Sequence, residues 1–160
     1  MSSTKPAIVV AHGAWHIPAH YEPMAKPLRE AGHEVIIPQH QSVGRGKVDS
    51  GNALEEDATA VAETIRRLLS DGKDVVLFMH SYGGIAGSDA IGMLAEDGSL
   101  SKGPGKVRRL VYLAAHIIDK YVTFFGSRGS IPNVETDKVL GTHHTDHSCI
   151  GNVLTLRRMA

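Results

Sequence analysis

The stretch LFMHSYGGIAG, residues 77 to 87, is an apolar run that stops at a serine and resumes among glycines. A hydroxyl placed directly after a buried strand and directly before a glycine-rich helix start stands at the carboxyl edge of a sheet, where open α/β folds bind ligands. That strand, turn and helix is the setting of a nucleophile elbow, whose sharp, strained turn exposes the nucleophile. The chain can pass such a turn only where the flanking residues are small. Gly83, two residues after Ser81, meets this need, whereas Met79, two residues before it, departs from the general G-x-S-x-G pattern. A second stretch, AHGAW (Ala11 to Trp15), follows the first apolar run of the chain. Acyl transfer needs backbone N–H donors aimed at a developing oxyanion, and a loop after the first strand can supply one. Both stretches leave the carboxyl ends of neighbouring strands, so the amides of Ala14 and Tyr82 are expected to converge near the Ser81 hydroxyl.

Other chemistries have weaker patterns. HHTDHSC, residues 143 to 149, offers three imidazoles, a carboxylate and a thiol. Only His143 and His147 have a ligand-like i, i+4 spacing, and only if the segment is helical, so no metal is assigned. The first strand is followed by HGAWH rather than G-x-G-x-x-G, and GRGKVDSG lacks the spacing of a phosphate loop. No cofactor is expected. The ten histidines are read mainly as polar loop residues, with acid–base chemistry left open by their number.

The elements that must position these residues alternate in type. AIVVA (Ala7 to Ala11) is a continuous β-branched run bounded by Pro6 and Gly13, as a strand buried on both faces would be. Tyr21, Met24, Ala25, Leu28 and Ala31 have helical spacing, closed by Gly32. EVIIPQ is the second strand, followed by a long polar loop. Leu54, Ala58, Val61, Ile65, Leu68 and Leu69 lie on one face of a 3.6-residue period. Glu55, Glu56 and Asp57 in its first turn and Arg66 and Arg67 near its end suit the helix dipole. DVVLFMH is the third strand, YGGIAGSDAIGMLAED a further helix, and VRRLVYLAA the fourth strand. The resulting βαβαβαβ order predicts an α/β fold, a mainly parallel sheet with helices on both faces. After Ala115 no long amphipathic period and no βα unit is legible, and irregular structure is expected.

Bulk properties bound the rest. The 160 residues are 42% hydrophobic with 17 basic and 17 acidic side chains. That is enough for one sizeable core, and the balanced charge argues against a nucleic-acid partner. No run approaches the roughly 18 apolar residues of a membrane span. The start has no signal-peptide pattern, and the single cysteine, Cys149, allows no intrachain disulfide. The chain is therefore read as cytoplasmic.

The segments HGAWHIPAHYEPMAKPLREAGHEVIIP, VVLFMHSYGGIAGSDA and VRRLVYLAA, with the helix between them, resemble the α/β-hydrolase superfamily over residues 5 to 125. The branch they are most similar to is that of small cofactor-free esterase-like proteins, akin to plant methyl-ester esterases and hydroxynitrile lyases. In that branch HSYGG is common around the serine, which reconciles Met79 with the elbow. The resemblance implies Ser81 as nucleophile, the N–H groups of Ala14 and Tyr82 as the oxyanion hole, and His12, Trp15 and His16 at the pocket mouth. It also implies a lid after the fourth strand, then further strands that deliver an acid and a histidine in that order.

YVTFFGSRGSIPN resembles the lid entrance, and the segment from about residue 141 matches nothing in the family. The expected division is a hydrolase-like core over residues 1–125 and an incomplete lid with an irregular tail over 126–160. Asp119, at a position some lipases use for the acid, and His147, with His143 and His144 nearby, are the candidates for acid and base. The implied function is a serine hydrolase acting on a small ester, lactone or thioester through an acyl-serine intermediate. Set against the family, the chain is expected to be a partial, truncated fold lacking the last strands and with them the usual acid and histidine. Because removal of the base from such a triad costs on the order of 10⁶ in turnover, it is expected to be weak or inactive. The alternative is a non-catalytic hydrolase-like protein that binds a small molecule or a protein partner, or that self-associates through an uncovered sheet edge.

Overall fold

The computed structural model describes residues 5–44 and 53–116, together with the backbone of 153–156. β1 (Ala7–Ala11) is fully buried, as its unbroken apolar sequence requires. The chain then passes a single 3₁₀ turn, Pro18–Tyr21, into α1 (Glu22–Glu30) and returns as β2 (Val35–Ile36). α2 (Ala53–Ser70), β3 (Val75–His80), α3 (Gly83–Glu96), a short α4 (Ser99–Lys102) and β4 (Val107–Leu113) follow. The strand order is β2-β1-β3-β4 with every neighbour parallel, and β5 (Val153–Leu156) pairs antiparallel with β4 at the far edge.

The pleat of the sheet divides the core. Alternate residues of a strand face opposite sides. On one side Ala7, Val9, Ala11, Val75, Leu77 and Met79 pack with Ala58, Val61, Ile65, Leu68 and Leu69 of α2 and with Ala90 and Leu94 of α3. On the other, Ile8, Val10, Val76 and Phe78 meet Tyr21, Ala25, Met24 and Leu28 of the α1 segment. Helices therefore cover both faces, in agreement with the α/β pattern read from the sequence. Each fully buried Leu or Met on these strands contributes roughly 1.5–3 kcal/mol.

Four details differ from the sequence reading. β2 contributes two residues rather than six, because Pro38 has no N–H to offer a ladder and β2 pairs only with β1. Leu54, assigned to the buried face of α2, is 37% exposed. Asp57, read with Glu55 and Glu56 as a first-turn charge suited to the helix dipole, is fully buried. Residues 153–156, read as irregular tail, form β5, so the sheet is not wholly parallel. The β4 edge expected to be bare carries β5 along Leu110–Leu113. Among the described residues, no helix is long and apolar enough to cross a membrane.

Candidate active site

Ser81 follows the last residue of β3 and has φ +53°, a left-handed conformation that a residue with a Cβ rarely adopts. Such a conformation costs on the order of 1–2 kcal/mol and persists only where the surroundings over-determine it. Here the backbone is held from three sides. The Ser81 N–H donates to the Leu113 carbonyl (3.4 Å), and the Ser81 carbonyl accepts the Gly84 N–H (3.0 Å) and the His116 N–H (3.2 Å). The glycines of the elbow are dictated by close approach. A Cβ at Gly83 would stand 2.0 Å from the Ala11 carbonyl oxygen, and one at Gly84 would stand 2.3 Å from the His116 carbonyl oxygen. The first turn of α3 is thus pressed against the end of β1, which brings the loop after β1 beside the elbow. That helix end carries the positive pole of the helix dipole.

The loop after β1 is a tight turn closed by the His16 N–H on the Gly13 carbonyl (3.2 Å). Trp15, at its third position, has φ +59° and is 90% exposed, as the third residue of a type II turn requires a positive φ. Among the described residues, neither the Ala14 amide nor the Tyr82 amide takes part in a backbone hydrogen bond.

Two side-chain networks hold this loop. In the first, the Tyr21 hydroxyl accepts the Gly13 N–H (2.9 Å) and meets His16 Nδ1 (2.9 Å) and His80 Nδ1 (2.7 Å). Tyr21 is buried, and burial raises the pKa of its hydroxyl. Burial, aided by nearby His16, lowers that of His80.

In the second network, His12 is closed inside the protein. Its Nδ1–H donates to the Gly13 carbonyl (2.9 Å), and its Nε2 accepts the His40 N–H (3.1 Å). The placement of His12 at the pocket mouth is corrected accordingly: both ring nitrogens serve backbone groups and the ring is fully buried. His40, also fully buried, stacks on His12 with ring centroids 3.7 Å apart, meets the edge of Tyr82, and lies 3.9 Å from the Asp57 carboxylate. Asp57 accepts the Ser42 N–H (2.9 Å), the Ser42 hydroxyl (2.6 Å) and the Tyr82 hydroxyl (2.9 Å). Burial, reinforced by His12, lowers the pKa of His40 to about 4. Burial likewise lowers that of His12, and burial together with the bond to Asp57 raises that of Tyr82.

Of the residues singled out in the sequence, Ser81, Tyr82, Ala14, Trp15 and His16 occupy the ends of β1 and β3 and the turns that follow them. Asp119 and His147 lie outside the described residues, as do His143 and His144. Among the described residues, no side chain is hydrogen-bonded to the Ser81 hydroxyl. Sequence reasoning missed Tyr21, His40, Asp57 and His80. The spacing of Tyr21 marked only a helix face, Asp57 was read as a first-turn charge, and His40 sat in a polar loop. His80 alone had a local signal, its place next to the serine.

The model of the alpha/beta hydrolase family matches residues 8–146. The alpha/beta hydrolase nvfD of Aspergillus novofumigatus is 31% identical over 150 residues, 84% of this chain and 58% of that protein. The carbendazim hydrolyzing esterase of a Nocardioides species is 37% identical over 111 residues, 68% of this chain and 41% of that protein. The probable hydrolase R7 of a Phoma species is 31% identical over 114 residues, 71% of this chain and 44% of that protein. The chain spans about half the length of these relatives.

Proposed function

The chain belongs to the alpha/beta hydrolase family, and from that premise we propose that it carries the nucleophile and oxyanion hole of a serine hydrolase for a small ester, lactone or thioester. The observation that carries this reading is the left-handed Ser81, held between β3 and α3 against glycines that admit no Cβ. The names of relatives, one of them a carbendazim hydrolyzing esterase, agree with ester-like substrates.

In the proposed reaction the Ser81 Oγ attacks the substrate carbonyl carbon while its proton passes to a general base, and the carbonyl oxygen becomes an oxyanion facing the amides of Ala14 and Tyr82. Collapse of the tetrahedral species expels the alkoxide or thiolate, which takes the proton, and leaves an acyl-serine. Water, deprotonated by the same base, then attacks the acyl carbon and releases the acid and the serine. For the base and its carboxylate partner the proposal takes His147 and Asp119, which stand in the chain order that the family uses and lie outside the described residues. Trp15 and His16 line the entrance, Trp15 with almost its whole surface available to a substrate.

The test is turnover of a panel of short-chain esters, lactones and thioesters by wild type and Ser81→Ala. Acid release that disappears in the variant supports the reading. Release that survives Ser81→Ala refutes it. A folded wild-type protein that releases none would favour a hydrolase-like protein that binds a small molecule without catalysis.

A further inference from the structure

The Tyr21 hydroxyl is the point at which the loop after β1 and the residue before Ser81 meet. It receives the Gly13 N–H from the first and contacts His80 Nδ1 from the second, with His16 Nδ1 as third neighbour. Its position is fixed by burial of the ring against Ile8, Val10 and Ala25. A phenol has one proton to give and two lone pairs. The Gly13 amide can only donate, so it takes one lone pair. Of the two imidazoles, one must therefore donate through Nδ1–H and the other must accept through a bare Nδ1.

The ring that accepts carries its proton on Nε2 and the ring that donates carries one on Nδ1, so His16 and His80 present opposite Nδ1 states to the one hydroxyl. Gly13 precedes Ala14, the donor proposed for the oxyanion, and His80 precedes Ser81.

We propose that Tyr21 is a positioning residue that locks the oxyanion loop to the nucleophile elbow through a hydroxyl shared by Gly13, His16 and His80. The proposal rests on the serine-hydrolase reading of Ser81. Its ring is an ordinary core side chain, while its hydroxyl sets the spacing between the end of β1 and the end of β3. Misplacement of reacting groups by about 1 Å can cost 10²-fold in rate, so a lock at this point has kinetic consequences that its small share of stability does not.

The experiment uses the whole chain, with Tyr21→Phe and, as a control, Tyr112→Phe. Tyr112 is also buried and loses a comparable hydrogen bond, that to the Ser88 hydroxyl at 2.9 Å, which joins neither the loop after β1 nor His80. The rate of Ser81 modification by a fluorophosphonate is expected to fall about 10- to 100-fold in Tyr21→Phe and to stay at the wild-type value in Tyr112→Phe. Thermal midpoints of the two variants should drop by similar amounts. In wild type, ¹⁵N NMR of the imidazoles at neutral pH should show one of His16 and His80 protonated on Nδ1 and the other with a bare Nδ1, an opposition that Tyr21→Phe removes. Equal labelling rates in both variants, or the same tautomer at His16 and His80 in wild type, would overturn the proposal. Should wild type not label at all, the hydrolase reading fails by itself, and the tautomer pair alone then decides whether Tyr21 forms the lock.

Discussion

Acidification from pH 7 to pH 4.5 should destabilise the protein in a way traceable to His40. The ring is fully buried, both of its nitrogens lack hydrogen-bond partners among the described residues, and it is wedged between the rings of His12 and Tyr82. The one nearby anion among the described residues, Asp57, is 3.9 Å away, with its oxygens already engaged by Ser42 and Tyr82. A proton on His40 would therefore lose its hydration and gain little, which is why burial holds the pKa at about 4 against an ordinary 6.5.

Above pH 6.5 the group is neutral in both folded and unfolded chains and has no effect on the slope. Between 6.5 and about 4 the unfolded chain binds a proton that the folded one refuses, so stability falls as pH falls. Below about 4 both forms are protonated and the loss levels off. A single histidine with this shift removes roughly 2–3 kcal/mol by pH 4.5. His12, lowered for the same reason, acts in the same direction.

The assay is urea denaturation followed by far-ultraviolet circular dichroism at pH 7.0, 5.5 and 4.5, for wild type and His40→Leu. Subtracting the two removes the titration of the common carboxylates. The wild type should lose roughly 2–3 kcal/mol more than the variant across that range. Parallel pH dependences in the two proteins would refute the reasoning.

Four further outcomes follow from the same geometry. Gly83→Ala, whose Cβ would meet the Ala11 carbonyl oxygen at 2.0 Å, should cost about 3 kcal/mol or more. Gly92→Ala, where a Cβ meets open space on the same helix, should gain roughly 0.5–1 kcal/mol; chemical denaturation of the pair checks both. Ser81→Gly should raise the stability by up to about 1 kcal/mol, because relief of a left-handed serine (about 1–2 kcal/mol) outweighs the added freedom of the unfolded chain (about 0.5–1 kcal/mol); a lowered thermal midpoint would contradict this. Asp57→Ala should cost about 2–3 kcal/mol by leaving the Ser42 amide and hydroxyl and the Tyr82 hydroxyl without their acceptor, measured by the same denaturation.

The sequence is legible where one physical signal dominates. β1 and β3 are continuous apolar runs, and α2 repeats at 3.6 residues, so their existence and faces follow from burial alone. The elbow is legible for the same reason, because a serine between an apolar run and a pair of glycines admits few backbone paths. What escapes is whatever depends on distant partners. β5 has only four residues and owes its place to the β4 edge, and β2 shortens because pairing stops near Pro38.

The histidines were the least readable. Tyr21 was recognised as a core-facing helix residue, which is right for its ring, yet nothing local shows that its hydroxyl reaches Gly13, His16 and His80. Asp57 was read with Glu55 and Glu56 as a dipole charge. Its burial depends on Ser42 and Tyr82, 15 and 25 residues away. Polar contacts of this kind join segments by single atoms, and no periodicity records them.

The claim that Ser81 is a nucleophile is tested most directly by treating the folded protein with a fluorophosphonate and locating the adduct by intact-mass and peptide mass spectrometry. One adduct is expected on Ser81 and none in Ser81→Ala. A folded wild type that stays unmodified, or an adduct that persists in the variant, would contradict it.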